Sequence, residues 1–341
     1  MNKIPKVYTG VDIFKMVAAI GIVAIHTNVL FLKTLGRLGV PFFVITSSFF
    51  FFNHYLKLNN RKDKKSYLIK YLKRIGYLYL CWQILYIPLA VIAFKHSMNR
   101  WGGISALNII RYLYTFIYPG YTNNNGWGQS WFLISLLIGI PLFLFLYKYL
   151  KLWTLTTLFL IIELYYILAN EFSFITHLSV WGTLYFPRIL IYILIGFYVV
   201  KYKNKIFQIE SKKSGLVFLI FLMLFITENY TIFKLGGSVN SEEIFTTVPT
   251  SLSMVLFALN WQVKIQKDIL VRNFSTFLYC NQIWPIRLIN KFLVLIHMNN
   301  ENNVSVQLFL FVGVIVESLI LFLIYLKLRK SKKWIVLNYL V

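Results

Sequence analysis

Lys15 and His26 stand eleven residues apart in one apolar stretch. At the rise of a helix that is ~16 Å along the axis, and eleven residues is close to three full turns, so both face one side. Such a stripe offers a cation able to hold an anion at one end. At the other it offers an imidazole able to take a proton from a hydroxyl. An ionisable side chain at membrane depth is costly and marks function by default. Plainer readings stay open: a Lys15 that snorkels to the interface, and a His26 that bonds a neighbouring helix as neutral imidazole. Asp12, one turn before Lys15, can pair with it or cap the helix.

Other ionisable groups fall in apolar runs as well. Glu317 sits near the middle of the last run, and a buried acid there asks for a cation among His26, Arg188 and Arg287. Arg188 follows Pro187. Arg287 and Lys291 are four apart and share a face. Glu163 and Glu228 lie nearer the outer surface. His54, His96, His177 and His297 have no ligand spacing, and Cys81 and Cys280 lie apart in apolar runs, so no metal site and no disulfide framework is expected.

The elements that must position these groups follow from composition. Of 341 residues, 58% are hydrophobic and 18% aromatic. A soluble domain this apolar would lack a polar surface. The apolar runs recur at lengths that suit lipid, so the fold class expected is an all-α bundle of about ten transmembrane helices. The expected spans are 13–32, 38–56, 75–94, 130–149, 152–169, 184–200, 215–229, 244–263, 274–296 and 305–328. The first is too long for a signal segment and lacks a cleavage site, and reads as a retained helix. The connection from about Lys95 to Gln129 is long enough to cover an outer cavity or hold a short interfacial helix. No separate soluble domain is expected, so residues 1–341 read as one unit.

The net charge of +24 sits in the connections, which makes it a statement about topology rather than about nucleic acid. The two ends and the even-numbered connections hold twenty-five of the 35 Lys and Arg residues, including Lys57–Arg74, Lys201–Lys213 and Lys327–Lys333; the odd-numbered ones hold six. That split puts both termini in the cytoplasm.

Six stretches in register then carry a resemblance. Gly10-Val-Asp-Ile-Phe-Lys15, followed by ten residues and His26, resembles the opening of the acyltransferase-3 family of membrane acyltransferases, Leu-Asp-x-x-Arg, ten residues, His. Arg37-Leu-Gly-Val-Pro-Phe-Phe-Val-Ile-Thr-Ser-Ser-Phe-Phe50 is similar to its second motif, and Lys73-Arg74-Ile-Gly-Tyr-Leu-Tyr79 to its basic stretch before the third helix. Gln129-Ser130-Trp131-Phe-Leu133 resembles His-Leu-Trp-Phe-Leu. Arg188 with Gly196 resembles the Arg-x-x-x-Phe-x-x-Gly helix. Ser275-Thr-Phe-Leu-Tyr-Cys-Asn-Gln282 resembles Ser-x-x-x-Tyr-x-x-His. Lys15 replaces the usual Arg, which keeps the charge and loses the planar fork. Gln129 and Gln282 replace two His residues, which removes proton transfer and keeps hydrogen bonding.

The resemblance implies an O-acetyltransferase of the bacterial cell membrane. Its donor would be cytosolic acyl-CoA, with acetyl-CoA first in line, and its acceptor a hydroxyl of a cell-surface polysaccharide or lipid-linked precursor. Lys15, Lys73 and Arg74 would hold the donor phosphates. His26 would be the general base, with Glu317 as a second catalytic group. Arg37, Ser130, Trp131, Arg188 and Gln282 would line the acceptor site. The lipid bilayer and separate glycan-biosynthesis proteins are the partners implied, and no metal is. Two rivals use the same buried charges: a transporter or flippase of a glycan precursor, and a non-catalytic assembly or sensor subunit.

Overall fold

The computed structural model describes residues 8–180, 184–237, 243–263, 266, 268–298, 303–330 and 335–341. The expected basic residues Lys3, Lys6, Lys264, Lys267, Lys332 and Lys333 lie outside them. Among the described residues the chain is all helix, with no strand. In order these are α1 (Thr9–His26), α2 (Leu30–Gly36), α3 (Gly39–Tyr55), α4 (Arg61–Leu85), α5 (Ile87–Arg100), α6 (Ala106–Tyr114), α7 (Trp131–Tyr149), α8 (Leu152–Asn170), α9 (Ser173–Thr176), α10 (Phe186–Lys201), α11 (Lys203–Ile206), α12 (Ser211–Lys234), α13 (Thr247–Asn260), α14 (Asp268–Asn281), α15 (Ile283–Leu295) and α16 (Val304–Arg329).

Every expected span overlaps a helix or a broken pair. Among the described residues six stretches are long and apolar enough to cross a membrane, seven if the bent pair α4–α5 is one span. The expected continuous run 75–94 breaks at Tyr86, where the axis turns by 72°. Pro88, in the first turn of α5, has no N–H to extend the α4 ladder. The run 274–296 breaks likewise at Gln282, where Pro285 cannot donate to the Asn281 carbonyl. The first run is shorter than expected: α1 stops at His26, and Asn28 takes the left-handed conformation (φ 58°) that turns the chain into α2.

Sidedness of the helices matches lipid as their solvent. Leu216, Leu219, Ile220, Met223 and Leu224 of α12 and Val312, Val316, Ile320 and Leu323 of α16 all face outward and exposed. A water-soluble monomer does not display apolar faces of this extent. At the centre, α10 is buried along most of its length, from Arg188 through Val200. It meets α3 at Gly196, where any side chain would press on Ser48 and the Ile45 carbonyl. The α1–α2 reversal closes in the same way. Gly21 and Gly36 bring their backbones into contact, and a Cβ on Gly36 would overlap the Gly21 carbonyl. α2 therefore lies flat on α1 and delivers Arg37 beside the end of α1.

The long connection between α5 and α7 holds a short helix and a packed segment. α6 exposes Leu107, Ile110 and Leu113 on one face, as an interfacial helix does, and Arg111 lies over the Trp101 ring at 4.3 Å. Tyr112 donates to the Ala90 carbonyl at 2.7 Å, Tyr79 to the Phe116 carbonyl at 2.6 Å, and Gln83 to the Asn125 carbonyl at 2.9 Å. Trp127, fully buried, stacks on Tyr86 with ring centroids 5.1 Å apart. This connection is fastened to the α4–α5 bend.

Candidate functional site

A cavity of about 310 Å³ opens where α1, α2, α3, α7 and α10 converge. His26, the last residue of α1, reaches it with Ile22 and Ile25 from the same face. Arg37, Val40 and Pro41 enter from the α2–α3 junction. Gln129 and Trp131 come from the 3-10 turn Gly128–Ser130 and the start of α7. Tyr185 and Arg188 come from the start of α10, Glu243 from the segment before α13, Tyr279 from α14, and Tyr121 from the outer connection.

Arg188 is buried: it is 7% exposed, its Nε lies 3.5 Å from Glu243 Oε1, and its guanidinium sits over the Tyr185 ring at 4.3 Å and the Trp131 ring at 5.7 Å. Tyr192, one turn further along α10, donates to Glu243 Oε2 at 2.7 Å. The Glu243 backbone N–H donates to Glu171 Oε1 at 3.3 Å. Glu228 accepts from the backbone N–H groups of Phe245 and Thr246 at 3.0 and 2.8 Å, which fixes the segment on its other side. Glu163 of α8 is buried in the same electrostatic group as Glu243, Arg188 and Tyr192. Buried charges are tolerated when paired and hydrogen-bonded, and Arg188 and Glu243 are both; among the described residues the two Glu163 carboxylate oxygens accept no hydrogen bond.

The opposite end of α1 is built differently. Lys15 Nζ lies 5.2 Å from the Phe50 ring centroid, within the electrostatic reach of Asp12, Arg74 and Arg272. Lys73 and Arg74 are exposed on α4. Tyr71, close to Arg74, shares a 2.9 Å hydrogen bond with Ser47 of α3. This is a basic mouth with few fixed contacts.

Of the residues expected at an acceptor site, the structure brings Arg37, Trp131 and Arg188 together with His26. Ser130 is buried just behind: its Oγ accepts from Asn125 Nδ2 at 2.9 Å. Gln282 is buried one turn from Tyr279, with Nε2 donating to the Tyr279 carbonyl at 2.8 Å. Glu317 is not brought to the cavity. The buried stripe of α16 runs Leu310, Val314, Ser318, Phe322, and Glu317 sits one residue off it, half-buried. Among the described residues Glu317 forms no ion pair, and the acid that meets Arg188 is Glu243. Sequence reasoning missed Glu243, Tyr185, Tyr192 and Tyr279 as site residues. The one local signal for Glu243 is an acid directly before an apolar run.

The geometry assembles a base, two guanidinium groups, an amide and aromatic rings over one opening, the make-up of a group-transfer or binding pocket in a membrane bundle. The family described as an acyltransferase domain matches residues 8–335, and the chain belongs to this acyltransferase-3 family. It is a multi-pass membrane protein of a family that uses an acyl donor. Among curated proteins it is similar to an amino-acid racemase of Enterococcus faecalis, 25% identical over 285 residues, covering 75% of this chain and 38% of that protein. It also resembles a second amino-acid racemase of the same organism, 35% identical over 94 residues, covering 25% of this chain and 12% of that one. The chain thus spans well under half the length of the curated relatives it matches. No solved structure matches.

Proposed function

We propose that the protein is an O-acetyltransferase of the bacterial cell membrane that moves an acetyl group from cytosolic acetyl-CoA to a hydroxyl of a cell-surface polysaccharide or its lipid-linked precursor. The observation that carries this is the meeting of His26, Arg37 and Arg188 in one cavity, at the C-terminal end of the helix that carries Lys15 in its first half. Residues 1–341 act as one membrane domain of about ten crossings, counting the shorter α10 and α13 and the broken pairs, with both termini in the cytoplasm.

In this reading Lys15, Lys73 and Arg74 hold the CoA phosphates as point charges and a fork at the inner mouth. The acyl arm extends along α1 toward His26. His26 takes the proton of the acceptor hydroxyl as its oxygen attacks the thioester carbonyl. The C–S bond breaks, and the imidazolium returns the proton to the departing CoA thiolate. Arg37 and Arg188 line the acceptor cavity, and their positive charge stabilises the oxyanion that develops on the carbonyl. Trp131 forms its wall, with Ser130 and Gln282 holding that wall in place from behind. Glu317 does not reach the cavity and is given no step.

The test is donor consumption by purified protein with labelled acetyl-CoA, with and without polysaccharide from the host. Acceptor-dependent transfer of label supports the reading. Binding and translocation of the glycan without transfer would replace it with the transporter.

A further inference from the structure

Gln129 is 3% exposed, lines the cavity, and among the described residues has neither its amide oxygen nor its amide nitrogen hydrogen-bonded. A buried amide left unsatisfied on both atoms is expensive, and native proteins keep such groups where something else satisfies them. Its backbone, by contrast, is over-fastened. Tyr279 Oη donates to the Gln129 carbonyl at 2.9 Å. Asn125 accepts from the Trp127 N–H at 2.9 Å and donates to Ser130 Oγ at 2.9 Å, bracketing the turn. Gly128 has no room for a side chain against Tyr121 and Asn123. The turn is held rigid so that one amide faces the opening with its bonding capacity intact, which is how a binding group is pre-organised.

A primary amide presents an acceptor and a donor side by side. Two hydroxyls on adjacent ring carbons match it: one donates to Oε1 and its neighbour accepts from Nε2. Beside Gln129, Trp131 and Tyr185 meet edge to face with centroids 5.5 Å apart and offer aromatic surface to an apolar ring face. We propose that Gln129 is a specificity residue that selects the acceptor by pairing its amide with two adjacent hydroxyls of a saccharide or cyclic polyol ring lying against Trp131 and Tyr185. The identity of that ring as acceptor rests on the acyltransferase reading; the ring's recognition does not. The choice of hydroxyl offered to His26 then follows from which diol Gln129 holds.

The full chain in lipid nanodiscs, without donor, is titrated with trans-1,2-cyclohexanediol and trans-1,3-cyclohexanediol and followed by ligand-observed NMR. The two probes have the same formula, so their partition into lipid is close. The 1,2-diol should bind about tenfold more tightly, the worth of one to two hydrogen bonds. Gln129→Leu and the near-isosteric Gln129→Met should erase that preference while acetyl-CoA binding persists. Equal binding of the two diols by the unmodified protein would overturn the inference, as would preference surviving in a folded Gln129 variant. Tighter binding of cyclohexanecarboxamide than of the 1,2-diol would overturn it too. Diol selectivity without any transfer of labelled acetyl would leave the inference standing and remove the acetyltransferase reading. Transfer without selectivity would do the reverse.

Discussion

The two ends of α1 solve opposite problems. At the His26 end the polar groups are held from all sides: Arg188 by Glu243 and two rings, Glu243 by Tyr192 and Glu171, and Gln129 by a turn tied to Tyr279 and Asn125. At the Lys15 end the cations stand near one another with the Asp12 carboxylate and an aromatic ring, and Lys73 and Arg74 are exposed. Fixed geometry is what positions a reacting hydroxyl, since small displacements there cost large factors in rate. Loose positive charge is enough to collect a polyanion, whose attraction is long-ranged and weakly directional. On the proposed reading, substitutions at the His26 end should act on the chemical step and those at the Lys15 end on donor affinity.

The largest effect should come from His26. In His26→Gln, acetyl transfer should fall by about 10²–10⁴-fold, with acetyl-CoA binding unchanged. The rise of rate with pH that deprotonation of a base produces should vanish in the variant. Polysaccharide acetylation in cells with equal amounts of each form is the check, and near-normal acetylation would remove the proposed mechanism.

Arg188→Lys comes next. It keeps the charge beside Glu243 and loses the planar contact with Tyr185 and Trp131, so kcat/KM should drop by roughly 10–100-fold, with most of the change in kcat. A change confined to KM for the donor would erase the division between the two ends. Lys15→Ala should weaken acetyl-CoA binding by about tenfold, the more so at low salt, while Lys15→Arg stays close to the parent. Unchanged affinity in titration calorimetry would reduce Lys15 to a residue that merely reaches for the interface. The smallest effect should be that of a cysteine at Asn124, in a chain whose own two cysteines are both buried. It should leave transfer near normal and react with an impermeant maleimide from outside the cell, whereas a cysteine at Lys64 should be protected. The reverse pattern would exchange the two ends.

Much of the fold was legible, because long apolar runs can only be helices in lipid and their Lys/Arg flanks are local in sequence. What escaped was local too, but averaged away. The breaks at Tyr86 and Gln282 lie inside continuous apolar stretches, and hydropathy does not register a missing N–H. Of the residues the motifs named, His26, Arg37, Trp131 and Arg188 line one cavity. Glu243 was not legible, since its meeting with Arg188 bridges 55 positions and depends on Glu228 and Glu171 to fix the backbone that bears it. Glu317 attracted attention because a carboxylate in mid-helix is expensive. Its rotation off the seam of α16 is a one-residue matter of phase that cost alone does not reveal.

The outer connection is bolted to the bend between α4 and α5, and the cavity beneath it, at about 310 Å³, lies at the small end of the range for ligand pockets, about 300–1,000 Å³. A space of that size takes about one ring at a time. On the proposed reading, each acetyl would be installed in a separate visit. Marks along a long chain would then be scattered independently, with spacings that follow chance encounter, rather than laid down in runs.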